Sequence, residues 1–147
     1  MPELSDAEIV VVGGGAVGVA AADALARAGK RDILLIEKEP GLAAVTTAQA
    51  AGLVGQVRSS IDRVRLAMWS VATFSELERQ EEARPSWRQV GSLRIAATPE
   101  RADEFRRLQK VAGEGGLEVA LIDAAEAAGR WPGMRFDEAR AILWCPT

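Results

Sequence analysis

One short segment near the start of the chain reads Val11-Val12-Gly13-Gly14-Gly15-Ala16-Val17-Gly18. The β-branched residues before the glycines predict a buried parallel strand over residues 7–12, and the alanine-rich stretch after them predicts a helix over residues 16–28. A second apolar run, residues 32–37, follows and ends on an acid. Strand, helix and strand within about 30 residues make one βαβ unit. The expected fold class is therefore α/β, with a Rossmann-like parallel sheet.

Three glycines in this segment stand at the G-x-G-x-x-G spacing, between the predicted strand and the predicted helix. Gly13 permits the tight turn, Gly15 lets the backbone approach a pyrophosphate, and Gly18 lets the helix pack closely on the strand. The amides around Ala16 and Val17 are expected to be free and to face the phosphates, with the positive end of the helix dipole behind them. This combination predicts a dinucleotide site.

Glu37 closes the second strand, about 20 residues after the last glycine of the fingerprint. A carboxylate at that place accepts hydrogen bonds from the ribose hydroxyls of an adenosine, and it repels a 2′-phosphate. The pattern therefore disfavours NADP. It does not by itself distinguish FAD from NAD.

Several segments resemble one group of flavoenzymes. The glycine segment, followed by Glu37 and Lys38, resembles the amino-terminal FAD motif of the D-amino-acid oxidase superfamily. The run at residues 46–53 is similar to the segment after that motif in dimethylglycine and sarcosine dehydrogenases, and residues 90–96 are similar to their next strand. The resemblance implies FAD as cofactor. It also implies oxidation of the C–N bond of secondary or tertiary, N-methylated amines or amino acids.

The same resemblance supplies expectations for the loop that follows the βαβ unit. Thr46 and Thr47 would bind the pyrophosphate or the ribityl chain, and Gly52 and Leu53 would lie near the isoalloxazine, as part of a flavin-contacting run that also contains Gln49 and Ala51. The relatives commonly carry the covalent flavin on a histidine at the position that Gln49 occupies here. An amide cannot form that bond, so FAD is expected to be held non-covalently.

The remaining pattern divides the chain into two predicted parts. Residues 1–85 would form the FAD-binding part, with the βαβ unit at 8–38, a flavin-contacting loop at 42–55 and a long amphipathic helix at 60–82 that Ser59 or Ser60 caps. Residues 86–147 would begin an α+β substrate domain, and the fold would be incomplete on its own. Its predicted elements are strands at 91–96 and 118–122, a helix that starts at Pro99, a short helix at 123–128, and a return strand at 141–144.

The sequence shows only two strands of the nucleotide-binding sheet, whereas a doubly wound sheet has about five or six. The last apolar run also has no evident partner in the sequence. Both observations lead to the expectation that a second polypeptide carries the rest of the fold and is needed for activity, and this sequence identifies no catalytic residue. An NAD-dependent dehydrogenase module and a non-catalytic dinucleotide-binding subunit remain as alternatives.

Composition excludes several other classes of function. The chain has 147 residues, a net charge of −3, no histidine and one cysteine, Cys145. The charge disfavours nucleic-acid binding, and the absence of histidine removes imidazole metal ligands and an imidazole acid or base. A single cysteine fits a reducing compartment. The residues after Met1 do not resemble a signal peptide, and no apolar run reaches the ~20 residues of a membrane helix. These features predict a cytoplasmic protein with no bound metal, and the resemblance implies a small amine as its substrate.

Overall fold

The computed structural model describes residues 6–80 and 85–147. The chain divides into two compact units, the first ending at Leu53 and the second beginning at Val54. Within the described ranges, no helix is long and apolar enough to cross a membrane. The signal-peptide expectation concerns residues 1–5, which lie outside the described residues.

The first unit is the expected βαβ element. It consists of strand β1 (Ile9–Val12), helix α1 (Ala16–Arg27) and strand β2 (Ile33–Ile36). The two strands pair in parallel, from Ile9 opposite Ile33 to Val12 opposite Ile36. The α/β class read from the sequence is therefore confirmed, with strand and helix ends within two residues of those predicted.

Gly18 shows why the fingerprint needs its third glycine. A Cβ added at Gly18 would lie 1.8 Å from the carbonyl oxygen of Gly13 and 3.5 Å from a methyl carbon of Val11. Real Cβ atoms do not approach backbone oxygen so closely. The first turn of α1 can thus lie directly on the end of β1 only because this position has no side chain.

The first unit leaves most of its apolar surface exposed. The side chains of Val10 and Val12 on β1 are 49% and 82% exposed, and α1 contains no buried residue. The expectation of a buried β1 is wrong for the described residues. A parallel sheet is normally covered on both faces, and two strands with one helix cannot supply that cover.

The second unit is built on a three-stranded antiparallel sheet in the order β3-β5-β4. Its strands are β3 (Ser92–Ala96), β4 (Ala120–Ile122) and β5 (Ala141–Cys145). The last strand pairs with both of the others. The expectation that the final apolar run lacks a partner is wrong, because β5 takes the central place in a sheet whose other strands come earlier in the sequence.

Three helices flank this sheet: α2 (Ile61–Arg79), α3 (Pro99–Gly115) and α4 (Ala124–Arg130). The side chains of Thr98 and Asp123 cap α3 and α4 by accepting first-turn amides at 3.3 and 2.8 Å. Ser60 is the N-cap residue of α2, without a side-chain hydrogen bond. The predicted end of that helix, residues 81 and 82, lies outside the described residues.

Alternate residues of β5 point to two apolar clusters. Leu143 and Cys145 belong to the larger cluster, which α2 and α3 complete, and Ile142 belongs to a smaller one with Ala127 of α4 and Phe136. All the fully buried apolar side chains among the described residues lie in this second unit. The predicted division of function at residues 85 and 86 stays a prediction.

Candidate cofactor-binding site

The carboxylate of Glu37 is attached to the glycine turn. The amide of Gly14 donates a hydrogen bond to Oε2 at 2.6 Å, and the amide of Glu39 donates to Oε1 at 2.9 Å. These bonds hold the pKa of Glu37 below its ordinary value of 4.5, and the bond from Glu39 has a larger effect than the bond from Gly14. Glu37 is therefore ionised at neutral pH and fixed at the end of β2, beside the start of α1.

Gly14 is a functional position that the sequence reasoning missed. A Cβ at Gly14 would lie 2.5 Å from Cδ2 of Leu42 and 3.1 Å from both Cβ and Oε2 of Glu37. The residue occupies a variable place in the G-x-G-x-x-G pattern, so the fingerprint does not single it out. The signal in the sequence was a glycine at a place where the fingerprint does not require one, between Gly13 and Gly15.

The loop after β2 folds back over the same turn. The amide of Ala43 donates to the carbonyl oxygen of Gly14 at 2.9 Å, and the amide of Ala16 donates to Oγ1 of Thr47 at 3.1 Å. The expectation that the Ala16 amide is free is therefore wrong. The Thr47 hydroxyl occupies it, because the loop brings this side chain to the first turn of α1.

Other predicted site residues lie in the same unit without side-chain hydrogen bonds to the turn, as far as the described residues extend. Lys38 is 85% exposed, with Nζ at 3.4 Å from Glu39. Val17 and Leu53 are 85% and 89% exposed. The rest of the flavin-contacting run is also exposed: Thr46, Gln49, Ala51 and Gly52. The cofactor contacts expected of these residues stay predictions.

The groups gathered at the turn suit a dinucleotide. Each oxygen of the Glu37 carboxylate accepts one backbone amide, and a carboxylate has about four acceptor positions, so capacity remains for ribose hydroxyls. Among the hydrogen bonds of the described residues, none uses the amide of Val17. That donor stands in the first turn of α1, where the helix dipole favours an anion. The donor set thus fits a diphosphate next to a ribose.

The geometry defines the chain as a dinucleotide-binding α/β protein, and comparison with known proteins names its family. The family model described as "FAD dependent oxidoreductase" matches residues 8–147. The chain is 36% identical to the mitochondrial dimethylglycine dehydrogenase of Rattus norvegicus over 146 residues, and 34% identical to the mitochondrial sarcosine dehydrogenase of Homo sapiens over 146 residues. The chain therefore belongs to the FAD-dependent oxidoreductase family, and FAD is the cofactor that this family implies.

A solved structure agrees with this assignment. The L-proline dehydrogenase of P. horikoshii superposes on 97% of this chain with a TM-score of 0.89 and 30% identity. The chain corresponds to 37% of that protein, and to 17% and 16% of the dimethylglycine and sarcosine dehydrogenases. Both dehydrogenase alignments include 99% of this chain. The chain therefore corresponds to only a part of each relative, and the activity of the whole relatives cannot be assigned to it by similarity alone.

Proposed function

We propose that this chain is the FAD-binding part of a flavoprotein oxidoreductase that oxidises the C–N bond of secondary or tertiary, N-methylated amines or amino acids. The carrying observation is the fixed Glu37 carboxylate beside the turn at Gly14, in a chain about one third identical to dehydrogenases of methylated glycines. The run at residues 46–53, which resembles the flavin segment of those enzymes, supports the substrate class.

The chemistry divides between cofactor and protein. Bound oxidised flavin supplies an acceptor for the hydride equivalent that leaves the carbon next to the amine nitrogen. The resulting iminium ion (or the imine, after a secondary amine loses its proton) adds water and separates into an aldehyde and the dealkylated amine. The residues of this chain bind and orient. Glu37 would accept hydrogen bonds from the ribose hydroxyls, and backbone amides in the first turn of α1 would donate hydrogen bonds to the diphosphate.

We further propose that a second polypeptide carries the rest of the flavoenzyme fold. The support is the exposed apolar surface of the first unit, where Val12 is 82% exposed on a parallel strand of a kind that is normally covered on both faces. Additional strands and helices would cover it. Native and denaturing mass measurement of the purified protein tests this: two different chains support the proposal, and a particle made of one kind of chain refutes it.

Non-covalent attachment is the third element of the proposal. Gln49 stands where the resemblance places the flavin-bearing histidine, and an amide side chain has no nucleophile for that bond. Denaturation in acid should therefore release all flavin into the filtrate and leave this chain at its unmodified mass. A flavin mass that remains on residues 1–147 would contradict the role given to Gln49.

Flavin reduction by substrate tests the activity itself. The complete oxidised protein is mixed without oxygen with sarcosine, dimethylglycine or, as the matched control, glycine, which lacks an N-methyl group. We expect loss of the visible flavin band with the methylated compounds only. The band would persist with every amine if the protein were a non-catalytic dinucleotide-binding subunit. The NAD-dependent alternative loses its support, because the family assigned above uses FAD.

The cytoplasm remains the proposed location, supported by the single cysteine and the reducing compartment that it fits. The two animal relatives carry the word mitochondrial in their names. Fractionation of the source cells, followed by detection of this chain, decides the location.

A further inference from the structure

The second unit contains an open cavity that the cofactor site does not use. It has a volume of about 460 Å³ and is lined by Val90, Arg130, Trp131 and Trp144. Trp144 belongs to β5, and Arg130 is the last residue of α4. All four lining residues lie between residues 54 and 147, so the cavity depends only on this unit.

Two tryptophans form rigid walls of the cavity. The rings of Trp131 and Trp144 meet edge to face, with centroids 5.1 Å apart and planes at 71°. The Trp144 ring is also packed against the backbone at Gly91, where an added Cβ would lie 2.2 Å from the ring. The two indoles therefore hold each other and the backbone in place, and they present flat apolar surface to whatever enters the cavity.

Arg130 supplies the charge of the cavity. Its guanidinium carbon lies 4.8 Å from the centroid of the Trp144 ring, and one nitrogen donates to Glu126 Oε1 at 2.8 Å. A guanidinium has five N–H donors, so most of them remain for another acceptor. The side chain is 41% exposed. Stacking and one ion pair therefore orient the guanidinium, and they leave several of its N–H donors available.

The polar groups of the lining select for an acceptor. Guanidinium and indole nitrogens are donors only, and the indole nitrogens of Trp131 and Trp144 donate to no protein acceptor among the hydrogen bonds of the described residues. A methylated ammonium is disfavoured, because the guanidinium covers the Trp144 face and its positive charge repels a second cation in the same cavity. We propose that this cavity binds a carboxylate carried on a flat apolar group.

The proposal implies a division of contacts within the cavity. The carboxylate pairs with the free edge of the Arg130 guanidinium in the two-pronged geometry that planar guanidinium groups favour. The flat body lies against the indole of Trp131, because the guanidinium covers the Trp144 face. Glu126 shares the guanidinium with the ligand, and its negative charge opposes binding to some extent.

Three probes of similar shape test the charge preference on the purified complete protein. Phenylacetate carries the carboxylate, phenylacetamide is its neutral counterpart, and phenethylamine carries a positive charge on a similar body. Binding is measured by calorimetry and by saturation-transfer NMR. We expect phenylacetate to bind about tenfold or more tightly than the amide, since hydrogen bonds between charged groups are roughly twice as strong as neutral ones. Equal affinity for the amide, or a preference for the amine, overturns the proposal.

Variants assign the effect to the cavity. Arg130→Gln should weaken phenylacetate binding about tenfold to a hundredfold, and Glu126→Gln should strengthen it. Arg135→Gln is the matched control, because Arg135 is a 91% exposed arginine that pairs with Asp137 and does not line the cavity. Circular dichroism confirms that each variant is folded. Unchanged binding in Arg130→Gln, or an equal loss in Arg135→Gln, refutes the site. Neither result depends on whether the protein oxidises amines.

Discussion

Replacing Gly18 with alanine sets two opposed effects against each other. Alanine is favoured over glycine inside a helix by about 1 kcal/mol, so propensity alone predicts a more stable α1. The new methyl group, however, would lie 1.8 Å from the carbonyl oxygen of Gly13, where ordinary contacts begin at 3.4 Å. The atom it meets belongs to the backbone of the glycine turn and cannot rotate away. The turn and the helix must therefore separate by more than 1 Å.

The size of this movement decides the expected loss of FAD binding. A functional site tolerates displacements of about 0.5 Å before its contacts weaken. Overpacking of a well-packed position costs about 1–3 kcal/mol, and backbone clashes belong at the upper end of that range. If the variant relaxes without FAD and must be forced back to bind it, this cost converts at 1.4 kcal/mol for each factor of ten. We expect FAD to bind about 100-fold more weakly.

The assay is titration of the flavin-free protein with FAD, followed by flavin fluorescence. Gly41→Ala is the matched control, because a Cβ at Gly41 meets nothing within 4 Å and its backbone is outside the left-handed region. It should bind FAD like the unchanged protein. An affinity in Gly18→Ala within a factor of two or three of the control would refute the idea that the close approach at Gly18 shapes the cofactor site.

Three further predictions concern the same two units. In Gly14→Ala the new methyl group pushes on Cβ of Glu37, and loss of the charge-assisted hydrogen bond between the two residues should weaken FAD binding about tenfold. The thermal unfolding of the second unit should stay unchanged. An unaltered FAD titration would show that Glu37 does not need the Gly14 amide. Because the pKa of Glu37 is lowered, the ionised carboxylate is complete above the ordinary pKa of 4.5 and is lost only as the pH falls through the lowered value. FAD affinity should therefore hold as the pH is lowered past 4.5, whereas Glu37→Gln should bind FAD weakly at every pH and Glu39→Gln should not. A decline in affinity centred above pH 4.5 in the unchanged protein would count against this assignment. In α3, Gly115→Ala should lower the free energy of unfolding by about 1–3 kcal/mol, because its Cβ would lie 2.8 Å from buried Val64. A Cβ at Gly113 meets no atom within 4 Å, so Gly113→Ala should raise the free energy of unfolding by up to about 1 kcal/mol. Urea unfolding curves that move in the same direction for both variants would disprove the packing explanation.

Local patterns in the sequence were enough to place most elements of the fold. The β-branched run before Gly13 and the alanine-rich run after it predicted β1 and α1, because β-branched residues favour strands and alanine favours helices. Thr98, Pro99 and Gly116 set the ends of α3: a capping hydroxyl, a first-turn proline and a left-handed glycine. These signals act within a few residues, so one sequence suffices to read them.

Contacts between distant segments could not be read in this way. The central place of β5 depends on its pairing with β3 and β4, and the three strands come from three different parts of the chain. The bond from Ala16 to Thr47 spans 31 residues and depends on the path of the loop between them. The pairing of Trp131 with Trp144 likewise follows from α4 lying against β5. No periodic pattern encodes any of these three contacts.

The Thr47 hydroxyl at the start of α1 has a consequence for the thermodynamics of cofactor uptake. A diphosphate that approaches this turn meets a donor that is already satisfied, so binding there is an exchange of one acceptor for another. The enthalpy gained is the difference between a charged and a neutral acceptor rather than a whole hydrogen bond. We expect the residues around Thr47 to give way during this exchange, and the loop would then help to determine the rate at which flavin enters and leaves.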